Sequence, residues 1–148
     1  MITDAVIKDV LQKYRTIAVY GMSKNEDDPA HYVPAFLLAK GYVIIPVNPS
    51  ADSIIDVTSY ACLRDIPGRI EVLEVFRPSA QVPDVVREAL ERRKERGDIE
   101  VIWLQDGIYH EEARKLAERA GILVIQDRCM MNEFKRLMPQ QKQPAAEI

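Results

Sequence analysis

The chain has 148 residues, 47% of them apolar and 29% charged, with a net charge of −3. That length carries a substantial core, the acidic balance excludes a general nucleic-acid binder, which needs a basic face, and no apolar run approaches the roughly 18 residues of a membrane span. Cys62, Cys129, His31 and His110 are too few and too scattered for a disulfide scaffold or a zinc site. Reduced thiols in a cytoplasmic protein are therefore expected, and Met1-Ile2-Thr3-Asp4 lacks the basic and apolar blocks of a signal peptide.

In chain order, residues 3–14 read as an amphipathic helix capped by Thr3 or Asp4. Thr16–Tyr20 is a short β-branched run that ends on Gly21, a strand entering a turn. The loop Met22–Ala30 is polar, and its carboxylates Glu26, Asp27 and Asp28 read as solvated. Asp28-Pro29 opens a second helix that Gly41 ends, with Pro34 making its start irregular. Tyr42–Val47 is a buried strand closed by Asn48-Pro49. Residues 50–68 are weakly patterned, with an extended piece at Ser59–Cys62 and a helical turn at Leu63–Ile66. Ile70–Phe76 is a third strand, and Ser79 caps a helix from 80 to 96. The charges of that helix, Arg87-Glu88 and Glu91–Arg96, read as a solvated face. Glu100–Leu104, a helix over 109–120, Ile122–Ile125 and a helix over 129–137 complete the pattern. A single domain over residues 1–138 and a frayed tail over 139–148 are expected.

Apolar strands alternating with helices predict an α/β protein: a Rossmann-like, doubly wound parallel five-stranded sheet with helices on both faces. In such a fold ligands bind outside the carboxyl ends of the strands. Those ends carry Gly21-Met22-Ser23, Asn48-Pro49, Phe76-Arg77-Pro78, Gln105-Asp106-Gly107 and Asp127-Arg128-Cys129, residues suited to turns, hydrogen bonds or charge. The strand bodies carry almost none.

The candidate chemistries divide sharply. An NAD grip needs three glycines and an acidic residue after the second strand, where Asn48-Pro49 stands. No G-x-x-x-x-G-K-[ST] exists for a P-loop, and Ser23 lies in no G-x-S-x-G elbow. Cys129 beside Arg128 reads either as a nucleophile or as a packed small residue. Asp127, Arg128 and Glu133 read as an ion-pair set rather than an acid–base pair.

Taken together and in order, Val19-Tyr20-Gly21-Met22-Ser23, Pro46-Val47-Asn48-Pro49, Val75-Phe76-Arg77-Pro78, Trp103-Leu104-Gln105-Asp106-Gly107-Ile108 and Asp127-Arg128-Cys129 resemble the stand-alone CoA-binding domain family. That family is related to the N-terminal domain of the succinyl-CoA synthetase alpha subunit. The resemblance implies that the chain binds coenzyme A or an acyl-CoA, as a non-catalytic binding or regulatory module. It implies CoA phosphates and ribose at Gly21, Met22, Ser23 and Lys24, and adenosine near Val47, Asn48 and Pro49. Phe76, Arg77 and Pro78 would stand across from it, with the pantetheine arm passing Gln105 and Gly107. Neither His31 nor His110 sits where the synthetases carry their phosphorylated histidine. The alternatives are an NAD(P)-binding or acyl-transferring enzyme using the same site, or a module that docks on a protein partner. Lys24 and Arg77 are cations suited to the diphosphate and 3′-phosphate of CoA.

Overall fold

A computed structural model describes residues 2–138, and the polar segment from Pro139 lies outside the described residues. The first helix, α1 (Asp4–Lys13), starts where the Thr3 hydroxyl accepts the Val6 N–H at 3.3 Å. It leads into β1 (Thr16–Tyr20), α2 (Pro29–Ala39) and β2 (Val43–Val47). Next come the short strands β3 (Ser53–Ile54) and β4 (Val57–Thr58), followed by β5 (Val72–Val75) and α3 (Val82–Arg96). The chain closes with β6 (Val101–Leu104), α4 (Glu111–Arg119), β7 (Leu123–Ile125) and α5 (Met130–Leu137).

Five strands form one parallel sheet in the order β2-β1-β5-β6-β7. Strand side chains alternate between the two faces, and each face has its own helices. Ile17, Val19, Val72 and Trp103 pack with Ile7, Leu11, Val33 and Phe134 of α1, α2 and α5. Ala18, Leu73, Val75 and Ile102 pack with Val85, Ala89 and Ala117 of α3 and α4. The result is the expected Rossmann-like α/β architecture, three layers deep.

Three local expectations change. The weakly patterned stretch after β2 contains a two-residue hairpin: β3 and β4 pair antiparallel across Ile55 and Asp56, whose φ angles are 52° and 58°. Beyond it, Tyr60 pairs with Val47 and extends the edge of β2. Ser79 does not cap the third helix. It opens a 3-10 turn, Ser79–Gln81, and its hydroxyl accepts the Tyr109 N–H at 3.1 Å, while α3 begins at Val82.

The face of α3 that carries Arg92 is not solvated. Arg92 is 3% exposed and pairs with Asp98, also buried, at 3.0 Å. Its remaining donors reach the carbonyls of Leu63 (2.5 Å), Ile66 (2.8 Å) and Gly68 (2.6 Å). Every edge of the planar guanidinium is thereby satisfied, which is what makes burying this charge tolerable. One side chain thus fastens the excursion between β2 and β5 to α3. On the other face of the sheet, Arg136 of α5 grips both carboxylate oxygens of Asp4, at 2.8 and 2.9 Å, and so ties the last helix to the first.

One strand body does carry chemistry. Glu74 stands in β5 between Val19 and Trp103 in register, fully buried, and neither carboxylate oxygen has a hydrogen-bond partner. Burial pushes its carboxyl up to about 8, so it is held as a neutral acid at pH 7.

Candidate functional site

Strand order reverses between β1 and β5, and in an open α/β sheet the crevice at that reversal is where ligands bind. Gly21 follows β1 there, with φ +87°, and Phe76-Arg77 follow β5. The two turns touch: a Cβ on Gly21 would stand 2.6 Å from the Phe76 carbonyl oxygen and 3.5 Å from Arg77 Cδ. The glycine is therefore required by its neighbouring strand end, whether or not a phosphate also comes close.

The loop after Gly21 is pinned from several sides. The Gly21 N–H donates to Val47 O at 2.9 Å and the Ser23 N–H to Ala30 O at 3.1 Å. Ala30 O is free because its helical partner one turn on would be Pro34, which has no N–H. Asn48 Nδ2 donates to Met22 O at 2.8 Å, its Oδ1 accepts the Ser50 N–H at 2.7 Å, and Lys24 Nζ donates to Ser50 O at 3.2 Å. Met22 is 1% exposed and Val47 is 2% exposed, so both residues belong to the core. Gly21 and Ser23 have spent their N–H groups, while the Lys24 N–H has no partner among the described residues. Asn48 uses one amide N–H and one oxygen lone pair to hold the loop.

Across the crevice, Arg77 makes no ion pair and no hydrogen bond among the described residues, and its guanidinium lies 5.8 Å from the Tyr20 ring centre. Tyr20 itself donates to Glu88 at 2.5 Å, and Glu88 accepts the Leu63 N–H at 2.8 Å through its other oxygen. Burial, then the bond to Glu88, raises the Tyr20 phenol well above its ordinary range, so it stays a neutral platform under the cation.

A cavity of about 510 Å³ opens beside this platform, between the first turns of α2 and α5. It is lined by Phe76, Arg77, Pro78 and Gln105 from the strand ends, with Tyr32 and Cys129 among the helix residues. Sequence reasoning named the first four and weighed Cys129, but missed Tyr32. The available signal was that α/β units point helix N-termini at strand ends. Gly21, Ser23, Lys24, Asn48 and Pro49 lie on the neighbouring loops outside the cavity wall. Gly107 instead donates its N–H to Asp127 Oδ1 at 2.7 Å. Asp127 is thus held by that bond, while Arg128 pairs with Glu133 at 2.8 Å. A larger groove of about 750 Å³ runs along α3, but its walls mix Arg64 and Lys94 with Glu91 and Glu95, and none of its lining residues comes from a strand end. No group of histidine, cysteine and carboxylate side chains fit to hold a metal occurs among the described residues, and no described helix is long and apolar enough to cross a membrane.

A family model described as a CoA binding domain matches residues 15–135. An uncharacterised Bacillus subtilis protein, YneT, is 40% identical over 126 residues, covering 85% of this chain and 90% of its own length. The ADP-forming acetate–CoA ligase II of Archaeoglobus fulgidus is 30% identical over 80 residues, which is 53% of this chain and only 12% of the ligase. Among solved structures, cell-free ID.343 from Thermus thermophilus is 38% identical with a TM-score of 0.84, covering 92% of this chain and 99% of that one.

Proposed function

We propose a CoA-holding role on a plain premise: the chain belongs to the CoA-binding domain family. The ligand is coenzyme A or an acyl-CoA, lying along the carboxyl ends of the sheet, and the chain acts as a binding or regulatory module. The observation that carries this reading is Arg77, a cation with no partner among the described residues, set on the Tyr20 ring at the reversal of strand order. A fork-shaped, permanently charged donor in a cavity beside exposed loop backbone suits a ligand with several phosphates. Phe76, Pro78 and Gln105 then offer one polar and two apolar contacts to a pantetheine arm. The similarity to part of an acetate–CoA ligase supports the same ligand. An NAD reading draws no support from Asn48, whose side chain is used to hold the Met22 loop.

Thermal unfolding against CoA, acetyl-CoA, dephospho-CoA, NAD, NADP and ATP tests the reading. A ligand at about 100 times its Kd adds roughly 2.7 kcal/mol. CoA and acetyl-CoA are expected to raise the melting temperature and NAD is not. A rise with NAD and none with CoA would overturn it.

A further inference from the structure

Gln105 is 4% exposed and stands at the end of β6, where its Oε1 accepts the N–H of Met130, the first residue of α5, at 3.0 Å. That bond fixes which end of the amide points where. The Nε2 end has no acceptor among the described residues and keeps an accessible face, on a residue that lines the cavity. The same wall carries Cys129, at the N-cap of α5, free, half-buried and making no capping bond. An amide donor left open on a nearly buried residue, a thiol in the same cavity wall and an apolar lining from Val33, Phe76, Ile108 and Met131 form one arrangement. Its chemistry matches a carbonyl whose carbon meets a sulfur.

We infer that this end of the cavity receives the acyl-thioester group of an acyl-CoA, with Gln105 Nε2 donating to the thioester carbonyl and Cys129 taking the acyl group. The inference rests on the CoA reading above and names the reacting end of that ligand. Cys129 Sγ forms a bond to the carbonyl carbon and the bond from that carbon to the CoA sulfur breaks. The electron pair leaves on the CoA sulfur, which takes the proton given up by the Cys129 thiol. One thioester replaces another, so no oxidant, metal or nucleotide is needed. The loading is stoichiometric, one acyl group per chain, and the module is left holding free CoA.

The test incubates the full chain with acetyl-CoA at neutral pH and follows intact mass, peptide mapping and released thiol, with CoA affinity measured separately by calorimetry. The expected result is one acetyl group on Cys129, one CoA thiol released, and removal of the label by neutral hydroxylamine. Cys62 is expected to label at least tenfold more slowly. Cys129→Ser, checked as folded by its thermal transition, takes up no hydroxylamine-sensitive label. Gln105→Glu keeps an acceptor for the Met130 N–H but loses the donor, so its loading slows at least tenfold while the thermal transition is retained. If CoA does not bind, the CoA reading fails and this inference with it. If CoA binds but Cys129 stays unlabelled, or labels no faster than Cys62, or if Gln105→Glu loads at the unaltered rate, this inference alone is overturned.

Discussion

The carbonyl of Ala30 holds the Ser23 N–H at 3.1 Å, and it is free to do so because Pro34, one turn further along α2, has no N–H to give it. A proline inside a helix usually reads as a fault; here it leaves an acceptor that fastens the loop after β1. Pro34→Ala restores a competing helical donor. The helix gains, by about 3 kcal/mol at most, while Ser23 loses exclusive use of Ala30 O. The expected outcome is a higher melting temperature together with a three- to tenfold weaker CoA affinity, read by thermal unfolding and calorimetry. Unchanged affinity would show that this tether does not shape the site.

Gly21 has no room for a side chain. A methyl group meets the Phe76 carbonyl oxygen at 2.6 Å, and φ +87° adds roughly 1–2 kcal/mol of left-handed strain for any L-residue. Gly21→Ala is therefore expected to lower the melting temperature by several degrees without ligand, and Gly21→Val by more. A Gly21→Ala variant as stable as the parent would mean that the β1 and β5 turns can part at no cost.

Glu74 makes stability depend on pH in an unusual direction. Its carboxyl titrates near 8 when folded, against an ordinary value of 4.5, so between those limits the folded chain holds a proton that the unfolded chain has released. The contribution is complete below 4.5 and is lost as pH rises toward 8, by about 1.4 kcal/mol per pH unit at its steepest. Glu74→Gln removes the titration. Urea unfolding at pH 5, 6.5 and 8 is expected to show the parent losing stability relative to the variant as pH rises. A constant difference across that range would mean that the carboxyl is not held neutral.

Arg77 offers a contrast between two ligands. If its guanidinium holds the 3′-phosphate, Arg77→Ala weakens CoA by tenfold to a hundredfold, the worth of a charge-assisted hydrogen bond of about 1.5–3 kcal/mol. It leaves dephospho-CoA, which lacks that group, nearly unaffected. Arg77→Lys recovers part of the loss, because an ammonium cannot make the planar two-point contact. Equal weakening of both ligands in calorimetry would place Arg77 on the diphosphate instead.

The parallel sheet was legible because its strands are short apolar runs ended by glycine, proline or asparagine, and because Thr3 and Asp28 mark helix starts as their chemistry requires. The hairpin across Ile55-Asp56 was not: both residues adopt positive φ, and isoleucine is among the least suited to that region. Arg92 was hidden by its neighbours Glu91, Arg93 and Lys94, since only the buried Asp98 and the carbonyls of a distant turn distinguish it from a surface charge. The strand-end rule named Phe76, Arg77, Pro78 and Gln105, which line one cavity. It could not tell that Met22 and Val47 turn their side chains inward, because one step along a strand changes which face a residue meets.

The bidentate grip of Arg136 on Asp4 brings the outer helices together, so the two ends of the described chain are neighbours in space although they are farthest apart in sequence. A short linker from residue 138 back to residue 2 would close the polypeptide into a ring, and the turn at Ile55-Asp56, which carries no strand of the five-stranded sheet, offers a place to open it elsewhere. Such a circular permutant keeps every pairing of that sheet. The order in which a ribosome delivers the strands is then separable from the arrangement they reach. The same adjacency lets the whole unit be spliced into a loop of a larger host without stretching either one.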